Sequence, residues 1–175
     1  SIIKQKNDYY IGFKSSGLIQ LKYLPDSKVK YAIQSINIQS GIFCLMKDRF
    51  QDIIWVGADG QGIYMYFTDE FSIENVLLDV PEYRVNNPVR ALFLDHEQTL
   101  WIGTKGGGIL RMMDFHPDRE TLPQAERILA NNSALMDNSV YSFAPGRRNS
   151  LWIGTEDGLN YYSYLTRRIE EFPVI

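Results

Sequence analysis

Short apolar runs and polar turns follow one another along this chain in a repeating order. The clearest run reads Leu100-Trp101-Ile102-Gly103-Thr104 and returns as Leu151-Trp152-Ile153-Gly154-Thr155. Looser copies are Ile54-Trp55-Val56-Gly57-Ala58 and Tyr9-Tyr10-Ile11-Gly12-Phe13. Within each run Leu100, Ile102 and Thr104 point one way and Trp101 and Gly103 the other, the period-two pattern of a strand. The four glycines (Gly12, Gly57, Gly103, Gly154) stand 45, 46 and 51 residues apart. A recurrence of that length marks an array of one supersecondary unit.

The rest of each unit follows from its punctuation. A second glycine comes five positions on at Gly17, Gly62 and Gly108, and four on at Gly158, after which apolar residues resume. Strand, glycine turn and strand predict a β-hairpin. A further strand precedes three of the phrases, at 42–46, 89–94 and 140–143, and a variable outer strand closes each unit, as at 71–78 and 168–172. Four short strands per unit of about 45 residues predict the blades of a β-propeller. The expected fold is therefore all-β, a partial propeller of about four blades of four antiparallel strands. Residues 1–175 form one domain, with blades near 1–38, 39–86, 87–137 and 138–175. Only Ile2-Ile3-Lys4 remain for the first inner strand, so that blade is expected to be trimmed, and Ser1 reads as an internal point of a longer protein. The longest unit carries its excess in 114–132, expected to be a loop and an outer strand. A short helix over 122–135 is the lesser alternative, since Pro123 and Asn131-Asn132 bracket it.

Composition narrows the classes of function. Of 175 residues, 45% are apolar and 22% charged, with a net charge of −3 and scattered basic residues. That suits a globular domain and gives no basic stripe for nucleic acid. Arg147-Arg148 reads as a solvated loop. Cys44 is the single cysteine, which excludes an internal disulfide, and its place in an inner strand reads as a small buried hydrophobe. No apolar run is long enough to span a bilayer and no signal peptide precedes the first blade.

The tryptophans are expected to pack between blades, each worth roughly 2–3 kcal/mol by area transfer. The glycine two residues on would let the neighbouring sheet approach. Asn87, Asn138, Asp48 and Asp95 fit turn positions where a side chain caps local backbone.

The residues around Asn87-Pro88-Val89, Asp95 and Leu100 to Gly108, and again around Asn138-Ser139-Val140 and Leu151 to Leu159, resemble the two-component regulator propeller repeat. Asp48 and Trp55 to Gly62 fit less tightly. The first unit departs with Tyr10 and Phe13, and the fourth carries Gly146 where the family has aspartate. The resemblance implies a periplasmic sensor region of a hybrid two-component histidine kinase of the Bacteroidetes type. It implies an oligosaccharide signal, and contact with the membrane only through the parent protein.

Catalytic chemistry finds no pattern. His96 and His116 have no metal-ligand spacing. Gly106-Gly107-Gly108 does not open a helix. The pairs Asp69-Glu70, Glu156-Asp157 and Glu170-Glu171 put their carboxylates on opposite strand faces. No cofactor or metal is expected. In a propeller, the turns entering the inner strands and those joining second and third strands share a face. That places Asn87, Arg90, Asn138 and Tyr141 with Asp59, Gln61, Lys105 and Glu156 as the candidate ligand residues. Two other readings compete. One is a carbohydrate-active propeller enzyme, sialidase- or lyase-like, although Ser-x-Asp-x-Gly-x-Thr-Trp and a convergent arginine cluster are missing. The other is a dimerisation scaffold without a small ligand. Because terminal units of a repeat array need capping, the chain is expected to self-associate, as a homodimer of two four-blade arcs.

Overall fold

The computed structural model describes residues 1–15, 17–76, 81, 84–115, 124–147 and 149–172. They form four sheets of four antiparallel strands, the blades of a β-propeller, with no α-helix among the described residues. The first sheet is β1 (Ile2–Gln5), β2 (Asp8–Phe13), β3 (Gly17–Tyr23) and β4 (Tyr31–Ile36). The second is β5 (Ile42–Lys47), β6 (Ile53–Ala58), β7 (Ile63–Phe67) and β8 (Ser72–Val76). The third is β9 (Val89–Leu94), β10 (Leu100–Thr104), β11 (Ile109–Met113) and β12 (Gln124–Ile128). The fourth is β13 (Val140–Pro145), β14 (Ser150–Thr155), β15 (Leu159–Ser163) and β16 (Arg168–Glu171). Consecutive strands pair in every sheet. The inner strands β1, β5, β9 and β13 pack on one another and line the middle.

The structure makes two expectations more definite. The first blade is not cut to a remnant: β1 pairs with β2 from Ile2↔Ile11 to Gln5↔Asp8, and Ser1 and Gly12 exchange backbone hydrogen bonds beyond it. It is nonetheless shorter than the six-residue β5, β9 and β13. The helix considered over 122–135 does not form, because 124–128 is the outer strand β12, paired with β11 along its length. His116, Arg148 and residues 116–123 of the long loop lie outside the described residues.

Alternation decides which side chain faces which neighbour. One face of β6 and of β10 packs on the preceding sheet and the other on the following one. Trp55 joins a cluster with Leu94, Leu100, Ile102 and Met112 of the third sheet. Trp101 joins Leu151, Ile153, Tyr162 and Ile169 of the fourth, its ring centroid 4.8 Å from that of Tyr162. In the first sheet Tyr10 takes the tryptophan position and packs on Tyr66 at 5.6 Å. The phrase glycines let the sheets close up. A Cβ on Gly12 would fall 2.5 Å from Ile42 Cγ2, on Gly57 2.7 Å from Val89 Cγ1, and on Gly103 2.8 Å from Val140 Cγ1. Each of those is the first residue of the next inner strand, so glycine serves here for close approach.

The indoles are also held by hydrogen bonds. Asp48 caps its turn as expected, its Oδ1 accepting from the N–H of Phe50 and Gln51. Its Oδ2 accepts from Trp55 Nε1 at 2.9 Å. Asp95 does the same with Glu97, Thr99 and Trp101 Nε1, the last at 2.8 Å, and adds the hydroxyl of Tyr164 from the next sheet at 3.0 Å. Both carboxylates are buried, which is tolerable because every one of these donors is aimed at them.

Candidate functional site: a bulged inner mouth

The strand register at the start of three of the four inner strands slips at the same place. Phe43 has no partner between the pairs Ile42↔Ala58 and Cys44↔Gly57. Arg90 stands likewise between Val89↔Thr104 and Ala91↔Gly103, and Tyr141 between Val140↔Thr155 and Ser142↔Gly154. A bulge re-aims the side chain of its extra residue. Here three equivalent bulges on adjacent inner strands bring theirs into one row. The Arg90 guanidinium lies 3.7 Å from the centroid of the Phe43 ring, a stacked cation–π contact. Tyr141 follows, its hydroxyl donating to Glu156 Oε2 at 3.0 Å.

The hairpin turns hold the rim. Asp59 N donates to Gly41 O, Lys105 N to Pro88 O and Glu156 N to Ser139 O, each tying the turn back to the residue before its own inner strand. With Lys14 at the matching place of the first sheet, the exposed turn residues alternate in sign: Lys14, Asp59, Lys105, Glu156. A hollow of about 440 Å³ lies among Lys14, Ser15, Gln39, Ser40 and Gly41 on this rim.

Of the residues named from sequence, Arg90, Tyr141 and Glu156 form the row, and Asp59 and Lys105 stand on the rim. Asn87 is partly turned inward to structure, its Nδ2 donating to Lys105 O at 3.1 Å and its side chain packing on Gly107. Asn138 is used by the fold, its Oδ1 accepting from Ala130 N at 2.8 Å and its carbonyl from Gly106 and Gly108. Gln61 sits farther out, accepting from the Tyr64 hydroxyl with its side chain and from Asn75 Nδ2 with its carbonyl. Sequence reasoning missed Phe43 and Lys14. Phe43 reads as one more apolar strand residue until the slipped register is seen.

The electrostatics of the row follow from its contacts. The hydrogen bond to Glu156 raises the Tyr141 phenol above its ordinary value, with the nearby Arg90 charge pulling the other way. Arg90 Nε is buried without a hydrogen-bond partner. A guanidinium, a phenol and a carboxylate can hydrogen-bond and stack against a ligand. No group of three His, Cys, Asp or Glu gathers among the described residues. His96 is exposed and stacks on Tyr164 at 4.6 Å. Cys44 is half-buried against Gly57, with burial pushing its thiol up to about 12.

A larger hollow of about 780 Å³ opens between the outer strands of the third and fourth sheets. Three of its charged groups are held in ion pairs. Arg111, layered between the Trp101 and Tyr162 rings, pairs with Glu126, and Arg167 pairs with Glu97. It is a seam between blades, so the bulged mouth is the better candidate.

Comparison with known proteins adds a match over part of the chain. Residues 84–106 and 134–157 match the two-component regulator propeller, the two repeats whose phrases read most clearly in the sequence. Histidine kinase P4 from Formosa agariphila is 25% identical over 183 aligned residues, covering 78% of this chain and 13% of that protein. Two solved structures share the fold, both extracellular domains of putative hybrid two component systems from B. thetaiotaomicron. BT3049 has a TM-score of 0.76 at 22% identity, covering 99% of this chain and 22% of its own. BT4673 has 0.75 at 17%, covering 98% and 24%. The chain thus spans less than a quarter of the length of each of these relatives.

Proposed function

We propose that this chain is a non-catalytic sensing segment in the periplasmic part of a hybrid two-component sensor kinase, and that it binds an oligosaccharide at the bulged mouth. The row of Phe43, Arg90, Tyr141 and Glu156 carries the reading. Three register slips converge on one place, and they present donors, an acceptor and ring faces together. Sugars ask for that mixture: hydroxyls that both donate and accept, and C–H faces that lie on rings. The matching family and the kinase relative support a sensing role.

Titration calorimetry against a panel of glycan-derived oligosaccharides tests it. At least one sugar class should give saturable heat with no release of product. Arg90→Ala and Tyr141→Ala should each weaken that binding tenfold or more, while Gln61→Ala leaves it unchanged. Absence of heat with every sugar overturns the ligand assignment, and product release overturns the non-catalytic one.

A further inference from the structure

The third sheet brings an uncommitted cation to the mouth. Arg90 is half-buried, and no carboxylate pairs with it among the described residues. The arginines of the outer seam are held instead, Arg111 by Glu126 and Arg167 by Glu97. One face of the Arg90 guanidinium is covered by the Phe43 ring, 3.7 Å from its centroid. Its Nε is buried without a hydrogen-bond partner, whereas the two terminal nitrogens are not sealed in this way. What stays open is the edge that carries them. A half-buried charge loses hydration, and a ring face returns only part of that loss.

The neighbours of Arg90 do not supply the missing partner. The sheets on both sides of it are present, the second contributing Phe43 and the fourth Tyr141. The acid of the row is engaged elsewhere, since Glu156 Oε2 accepts from the Tyr141 hydroxyl at 3.0 Å. A second cation stands on the same sheet: Lys105 is exposed, and its N–H donates to Pro88 O, two residues before Arg90. The flanking turns carry exposed acids, Asp59 on the second sheet and Glu156 on the fourth. The mouth thus offers two cations on one sheet with an acid to either side.

We propose that the sugar unit held at the third sheet is acidic, its anionic group gripped by the open edge of Arg90 with Lys105 above, and that the units beside it are neutral. This rests on the ligand reading of the mouth and names the class of sugar. A guanidinium edge and an oxyanion group meet through two parallel N–H···O bonds, stronger than bonds between neutral groups. Phe43 holds the plane of the guanidinium, so less freedom is lost when the anion arrives. Asp59 and Glu156 accept from hydroxyls and repel a second acid set against them. A uronate carboxylate and a sulfate ester both supply the required charge.

Titration calorimetry with matched tetrasaccharides, in each linkage of the glycan panel, tests it. The probes are a hexuronate alternating with a neutral hexose, the same chain after reduction of its carboxyls, and the reduced chain sulfated at the former carboxyl positions. An acidic probe should bind at least about tenfold tighter than its neutral counterpart, and which of the two does so identifies the anionic group. The preference should shrink in 1 M salt. It should vanish in Arg90→Gln, with the weaker binding of the neutral probe retained. Arg90→Lys keeps the charge without the paired donors and should hold only part of the preference; it serves alone if Arg90→Gln does not fold. Equal binding of all three probes overturns the acidic assignment and leaves the mouth a neutral-sugar site. A preference that survives loss of the Arg90 guanidinium also overturns it. Binding of none overturns the ligand reading together with it.

Discussion

The third and fourth sheets carry the same Leu-Trp-Ile-Gly-Thr phrase and use it differently. Trp101 is 0% exposed, bonded to Asp95 and covered by the fourth sheet. Trp152 has Gly146 in place of the aspartate, finds no acceptor for its indole N–H among the described residues, and is partly open. A Cβ on Gly146 would stand 2.9 Å from Trp152 Nε1 and 2.2 Å from Ser150 Oγ, so the indole and the serine occupy the space an aspartate would need. Identical pentapeptides thus give a core residue in one place and an open platform in another. What differs is the neighbour that covers them and the residue that precedes them.

The sharpest way to break that comparison is to truncate both indoles. Trp101→Ala should destabilise by roughly 3–5 kcal/mol, the cost of emptying a large core site. Trp152→Ala should cost less than about 1 kcal/mol, as an open position does. Urea unfolding of the two variants measures both. Equal losses would mean that the fourth indole is as well covered as the third.

The parts of this difference that sequence shows are those with a period or a fixed spacing. Leu100, Ile102 and Trp101 sort onto opposite faces by alternation alone, and the glycine recurrence yields the array. Gly146 also stands out as the missing aspartate. The second task of Asp48 and Asp95 does not. Their turn-capping role is local, but the indole they hold lies six or seven residues on, across a hairpin, and only the strand register brings it back. The mouth is legible in the same uneven way. Arg90, Tyr141 and Glu156 follow from turn positions, but Phe43 joins them through a bulge, which leaves no mark in residue type. Asn138 and Gln61 have polar side chains at plausible places, yet the Ala130 N–H engages the first and the Tyr64 hydroxyl the second.

A smaller effect separates the second sheet from the third. Asp48 and Asp95 each receive two backbone donors and one indole, and Asp95 alone receives Tyr164 from the following sheet. Replacing either by alanine strands buried donors. A loss of about 2–4 kcal/mol is expected, larger for Asp95→Ala. Tyr164→Phe removes the extra bond alone and should cost about 1 kcal/mol. Urea midpoints of the three variants give the ranking, and an Asp48→Ala loss exceeding that of Asp95→Ala would contradict it.

The smallest expected effect lies on the surface of the same seam. Arg167 of the fourth sheet pairs through both terminal nitrogens with Glu97 of the third, Nη2 reaching Oε1 at 2.9 Å. Hydrogen bonding to Arg167 holds the Glu97 carboxyl below its ordinary value of 4.5. A carboxyl depressed in the folded chain adds stability that is present above the unfolded value and lost as pH falls through the folded one. The pair is exposed, with side-chain exposures of 56% and 33%, so solvent and salt screen most of it. Arg167→Ala should therefore lower the unfolding temperature slightly at pH 7, and the gap to wild type should close as pH falls below about 4. The gap should also shrink in 1 M salt. A gap that persists at low pH and high salt would show that Arg167 acts by packing its stem on the neighbouring rings. The polar links between the third and fourth sheets would then rest on the Tyr164–Asp95 bond and the Asn138 carbonyl.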